Sequence, residues 1–131
     1  MIDKSSMFNT PPVFSIYVSL LTMKWLKNLG GIKAIDEINK TKAIVMYSEI
    51  DLNPLFKGFA AVEDRSTMNA TFNLTNSDLK DTFELMLKEA GIEGVNGHRS
   101  VGGYRASMYN ALSLDSVKVL VEVMSELETK A

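Results

Sequence analysis

From Thr67 to Leu74 the chain alternates residue by residue: Met68, Ala70, Phe72 and Leu74 are apolar, while Thr67, Asn69, Thr71 and Asn73 are polar. A period of two sends successive side chains to opposite faces of a strand, so this segment predicts a sheet with one dry face and one polar face. A dry face needs a cover, and helical periods on both sides of the strand supply it. Upstream, Phe14, Tyr17, Val18, Leu21 and Trp25 form one apolar stripe of a helix ending near Gly30-Gly31, with Thr10 as its expected N-cap and Pro11 as its first residue. A second helix is predicted over 32–50, with Ile35, Ile38, Val45 and Met46 inward and Asp36 and Lys40 as an exposed pair; Asn53-Pro54 breaks it.

A short strand is predicted near 57–62. After the alternating segment comes a helix over 77–90, with Leu79, Phe83, Met86, Leu87 and Ala90 on one side and Gly91 as its stop. Tyr104, Ala106 and Met108 then alternate with Arg105, Ser107 and Tyr109, so Arg105 is expected to point away from the packed face of a last strand. The final helix opens on Ser113 as N-cap, with Leu112 and Val117 as a hydrophobic staple and Asp115 in the first turn. Its expected core residues are Val117, Leu120, Val121, Met124 and Leu127. The order helix–helix–strand–strand–helix–strand–helix predicts an α/β chain of the α+β two-layer sandwich type. Its sheet should be small and mostly antiparallel, with helices on one face and a long helix in front.

Composition narrows the function classes. The 131 residues suit one ordinary domain's core. Lys plus Arg number 14 against 16 Asp plus Glu, a formal charge of −2, which offers no electrostatic reason for nucleic acid or an anionic membrane as partner. The absence of cysteine excludes disulfide scaffolds, thiol nucleophiles and Cys-ligated metals. A single histidine and no ligand-spaced carboxylates leave no metal site expected. No apolar run reaches the roughly 20 residues of a membrane span. Met1-Ile2-Asp3-Lys4 does not read as a signal peptide, so a cytoplasmic protein is expected.

Two segments could carry chemistry. Asn9-Thr10-Pro11-Pro12 opens a helix, whose N-terminus attracts anions. Because Pro11 and Pro12 lack N–H groups, any anion there must be held by the side chains of Asn9 and Thr10; the plain alternative is a capped helix with a proline start. The second segment is Gly97-His98-Arg99-Ser100-Val101-Gly102-Gly103-Tyr104-Arg105. Arginine offers a planar fork suited to carboxylate or phosphate, and glycines let a ligand approach the backbone. A dianionic ligand could be gripped by His98 and Arg99 at one end and Arg105 at the other. The alternative is a surface turn with solvated arginines. No nucleophile–base pair, phosphate-binding loop or paired-carboxylate site is present.

These segments together resemble a known family. Ser6-Met7-Phe8-Asn9-Thr10-Pro11-Pro12, Lys24-Trp25-Leu26-Lys27 with Gly30-Gly31, Arg65-Ser66-Thr67-Met68-Asn69, Gly97-His98-Arg99, Gly102-Gly103-Tyr104-Arg105-Ala106-Ser107 and Tyr109-Asn110-Ala111 stand in order along the whole chain. In this the chain resembles the C-terminal part of the phosphoserine aminotransferases, class V pyridoxal-phosphate enzymes of fold type I. The resemblance implies that 1–30 are the end of the large domain with its connecting helix and that 31–131 are the C-terminal small domain. It implies that Asn9 and Thr10 contact the cofactor phosphate across a homodimer interface. It assigns Arg105 to the substrate α-carboxylate, and His98 and Arg99 to the distal phosphate or side-chain carboxylate. The implied reaction moves an amino group between glutamate and 3-phosphohydroxypyruvate, giving phosphoserine for serine synthesis. The phosphorylated threonine analogue on the route to pyridoxal phosphate is a further implied substrate.

The family's Schiff-base lysine follows a Gly-Ala-Gln sequence upstream of the Asn-Thr-Pro-Pro motif, and that sequence does not occur here. No lysine of this chain, Lys24, Lys27 and Lys33 included, is therefore expected to be catalytic. The fragment alone is expected to be inactive and to expose the apolar stripe of its first helix. Two other readings stand beside this one: a non-enzymatic anion- or metabolite-binding α/β module using His98, Arg99 and Arg105, and a structural dimerisation domain built on the first helix pair.

Overall fold

A computed structural model describes residues 2–5, 7–97 and 102–131. They form two compact units, Met1–Ile35 and Asp36–Ala131. In the first unit, α1 spans Val13–Asn28 and is joined through Gly30 to α2, which spans Gly31–Leu52 and continues into the second unit. α1 buries no residue; Phe14 is 80% exposed and even Trp25 remains 41% exposed, so its apolar stripe is presented outward. The helix starts two residues later than expected, with Pro12 at the N-cap position and no side chain capping it. The reason lies in the pair of prolines: a residue that precedes proline is driven out of the helical region, so Pro11 cannot open a helix in front of Pro12. Thr10 is consequently not a cap.

In the second unit β1 (Phe56–Gly58), β2 (Asn69–Leu74) and β3 (Tyr104–Ser107) form one antiparallel sheet in the order β1-β2-β3. Phe72 pairs with Gly58 on one side and Tyr104 on the other. The expected first strand is shorter than 57–62, because Asp64 N–H turns back to the carbonyl of Ala61 and Val62–Asp64 closes a single tight turn. The alternation in β2 and β3 holds: Ala70, Phe72, Tyr104 and Ala106 are buried, while Thr71 and Arg105 share the opposite face. The dry face packs with Met46 and Ile50 of α2, with Phe83, Met86 and Leu87 of α3 (Lys80–Glu89), and with Val117, Leu120, Met124 and Leu127 of α4 (Leu114–Lys130). At its centre Phe56, Phe72, Phe83 and Tyr104 meet ring to ring, with centroids 5.0–5.7 Å apart, in edge or stacked geometry that adds specificity to apolar burial. The helices thus cover one face of a small antiparallel sheet, the expected two-layer α/β arrangement.

Ser113 caps α4, its hydroxyl accepting from the Ser116 N–H at 3.1 Å. Some expected core positions move. Ile38, Val45, Val121 and Leu79 are half-buried, Ala90 is exposed, and Val123 joins the core. On α2 the buried stripe is Ile35, Asn39, Lys42, Ala43, Met46 and Ile50, regular in helical spacing but not in polarity. Among the described residues no helix is long and apolar enough to cross a membrane.

Candidate functional site

Arg105 stands on the middle of β3, exposed on the sheet face opposite the helices and directly across from Thr71 of β2. Phe59 continues the row on the far side, its N–H donating to the Thr71 carbonyl at 3.0 Å. Among the described residues no carboxylate pairs with Arg105, whereas the half-buried Arg65 holds Asp51 through both terminal nitrogens. A cleft of about 200 Å³ opens beside Arg105, lined by Phe59, Thr71, Asn73, Gly97 and Gly102. The geometry offers a free planar donor at the edge of a shallow, partly apolar recess, which is what a carboxylate-bearing small molecule needs.

Two glycines, Gly97 and Gly102, line the cleft, and Gly103 packs behind them against β2. Arg105 N–H donates to the Val95 carbonyl at 2.6 Å and Gly97 N–H to the Gly103 carbonyl at 2.8 Å, so 95–97 run antiparallel to 103–105. Gly103 has φ +66°, and a Cβ there would press into the Asn73 side-chain oxygen and lie 2.8 Å from the Phe72 carbonyl. A Cβ on Gly97 would run into the Gly102 carbonyl. Backbone contact at these positions is possible only without side chains. His98 and Arg99, the other expected substrate ligands, lie outside the described residues. Asn9 and Thr10 belong to the first unit, where both are exposed; since Pro12 takes the cap position, the Thr10 hydroxyl is not used to close α1.

Other polar groups are absorbed by structure. Arg65 reaches both carboxylate oxygens of Asp51 at 2.7 Å and lies 4.5 Å from the Tyr47 ring centroid. The guanidinium holds the Asp51 carboxyl below the usual range, and burial pushes the Tyr47 hydroxyl up. Ser66 Oγ accepts from the Met68 and Asn69 N–H groups and so starts β2. Tyr104 keeps a buried hydroxyl with no partner among the described residues; burial, reinforced by Glu84 and Asp81, pushes it up to about 12. Lys42 is entirely buried, donating to the carbonyls of Met108, Tyr109 and Leu112 at 3.0, 2.9 and 3.1 Å, and burial pushes its ammonium down. Hydrophobic periodicity could not find Lys42, since a lysine there reads as solvent-facing; the one available signal is its place in the stripe Ile35, Asn39, Lys42, Met46.

The Aminotransferase class-V family model matches residues 1–120. Over 129 residues the chain is 66% identical to the phosphoserine aminotransferase of Flavobacterium psychrophilum, covering 98% of this chain and 36% of that protein. A phosphoserine aminotransferase of Porphyromonas gingivalis is 50% identical over 131 residues, with the same coverage of 98% and 36%. Among solved structures, the phosphoserine aminotransferase from Bacillus circulans subsp. alkalophilus superposes with a TM-score of 0.90 at 37% identity, covering 98% of this chain and 36% of that one. The pyridoxal-phosphate-bound enzyme from Trichomonas vaginalis gives 0.83 at 37% identity, covering 95% and 36%. The chain therefore spans 36% of the length of these relatives. With residues 1–120 matched by the family model and the fold shared with these solved structures, the chain belongs to the class-V aminotransferase family.

Proposed function

We propose that this chain forms the substrate-anchoring, C-terminal part of a cytoplasmic, homodimeric phosphoserine aminotransferase that exchanges an amino group between glutamate and 3-phosphohydroxypyruvate. Residues 1–30 are the end of its large domain and the connecting helix; 31–131 are its small domain. The observation that carries the reading is Arg105: an exposed guanidinium without a carboxylate partner among the described residues, set on the open sheet face beside a cleft lined by Phe59, Thr71, Asn73 and two glycines.

Arg105 binds the α-carboxylate that every substrate of the reaction shares. Two parallel N–H···O bonds fix the plane of that carboxylate and so the direction of the neighbouring α C–H bond, an orientation a lysine at the same place cannot impose. Glutamate and phosphoserine carry a second anionic group at the other end, which His98 and Arg99 take. Pyridoxal phosphate fits the remaining donors: Asn9 and Thr10 leave an amide and a hydroxyl exposed ahead of two prolines that have no N–H to give, and such neutral donors suit phosphate oxygens. When bound, the cofactor supplies an electron sink for charge developing at the α-carbon. No lysine of this chain is assigned as the base, and the one fully buried lysine, Lys42, has its protons committed to three carbonyls.

The test is a chimera in which residues 1–131 replace the stretch they match in the Flavobacterium psychrophilum enzyme. The expected result is glutamate-dependent turnover of 3-phosphohydroxypyruvate. A folded, cofactor-loaded chimera without that turnover overturns the reading.

A further inference from the structure

Lys42 is wholly withdrawn from solvent, and the charge it carries has no carboxylate partner among the described residues. A buried ammonium costs several kcal/mol unless its protons are satisfied. Here the three protons of the ammonium meet three carbonyl oxygens, those of Met108, Tyr109 and Leu112, at 2.9–3.1 Å. All three belong to the turn that leaves β3. Met108 N–H still reaches the Met68 carbonyl at 2.7 Å, Leu112 N–H closes the turn on Tyr109 at 2.9 Å, and Ser113 then caps α4. One helical turn earlier on α2, Asn39 Nδ2 donates to Asn110 Oδ1 at 2.8 Å, so the same helix face grips the turn twice.

Arg105 lies three residues before Met108 on a strand only four residues long. A strand this short has little pairing of its own to resist sliding, and the lock at its end sets where its side chains stand. An apolar residue at position 42 would fill the space equally well and avoid the desolvation cost. The cation is needed only if the three carbonyls must be held at one point. We infer that Lys42 is a positioning residue: its ammonium fastens the turn after β3 to α2 and thereby sets Arg105 for its grip on the substrate carboxylate. This rests on the reading of Arg105 proposed above.

The test is a double-mutant cycle in the chimera, pairing Lys42→Met, which keeps the stem and removes the charge, with Arg105→Lys. Lys42→Met alone is expected to raise KM for both glutamate and 3-phosphohydroxypyruvate about tenfold, since displacements of an ångström at a positioning group have effects of at least this size. Cofactor content should stay unchanged. In the Arg105→Lys background the same change should alter KM less than about twofold, because the group through which Lys42 acts is already compromised. Asn39→Ala, a neutral change on the same grip, should show the same coupling more weakly and serves if Lys42→Met does not fold. Independent, additive effects of either variant with Arg105→Lys overturn the inference while leaving the function intact, as does a loss of thermal stability with KM unmoved. An inactive parent chimera overturns both.

Discussion

Gly103 and Gly94 both adopt left-handed backbone, with φ +66° and +75°, yet their surroundings differ completely. Nothing lies within 4 Å of a Cβ built on Gly94, whereas one on Gly103 presses into the Asn73 side chain and comes within 2.8 Å of the Phe72 carbonyl. An alanine at either place bears the left-handed penalty of about 1 kcal/mol. At Gly103 the added methyl must also push β2 and β3 apart, which overpacking data put at about 1–3 kcal/mol more. Gly94→Ala should therefore cost about 1 kcal/mol and Gly103→Ala about 2–4 kcal/mol. At this chain length each kcal/mol lowers the melting midpoint by about 4 °C. Thermal or urea unfolding followed by circular dichroism measures both variants side by side. Equal losses would refute the claim that the backbone at Gly103 is in contact with its neighbour strand, and with it the account of the wall beside Arg105.

Other outcomes follow from the same structure. Arg65 holds the Asp51 carboxyl low, so the stability this pair contributes is present above the unfolded carboxylate range near pH 4 and is lost as pH falls through the lower folded value. Arg65→Met should cost about 1 kcal/mol at neutral pH, a modest figure because Asp51 is half-exposed, and should flatten the acid limb of a stability–pH curve. Tyr104→Phe removes a buried hydroxyl that has no partner among the described residues, so stability should stay level or rise by up to about 1 kcal/mol. In a spectroscopic titration of the wild-type chain, one tyrosine should ionise only near pH 12 and be missing from that variant. Ser113→Ala removes the cap of α4 and should cost about 1 kcal/mol in urea unfolding.

Much of this architecture is legible in the sequence where one physical rule acts alone. The period-two pattern of β2 and β3 places Ala70, Phe72, Tyr104 and Ala106 inside and Arg105 outside, because a half-buried strand has no other way to sort them. Ser113 is readable as a cap for the same reason. Reading fails where two rules compete. Pro11 suits a helix start by itself, but Pro12 behind it forbids one. Phe59 to Val62 looks like strand until the turn closing on Ala61 takes the backbone. Lys42 and Asn39 lie on the buried face of α2 because carbonyls and an amide 66 to 71 residues away in sequence accept from them, and no local pattern announces such distant partners. For the candidate site, alternation predicts the outward direction of Arg105, while its assignment to a carboxylate comes only from the resemblance. The Arg65-Ser66 stretch belongs to that resemblance too, yet in the fold it anchors the start of β2 through Asp51, Tyr47 and Ser66 Oγ.

The central claim is that Arg105 grips the carboxylate common to both partners of an amino-group exchange. Steady-state kinetics of Arg105→Lys and Arg105→Ala in the chimera test it most directly, with glutamate and 3-phosphohydroxypyruvate each varied in turn. Loss of a bidentate charged pair should raise KM for both substrates, about tenfold or more for alanine and less for lysine, with cofactor still bound. Unchanged KM for either substrate in the alanine variant would contradict it.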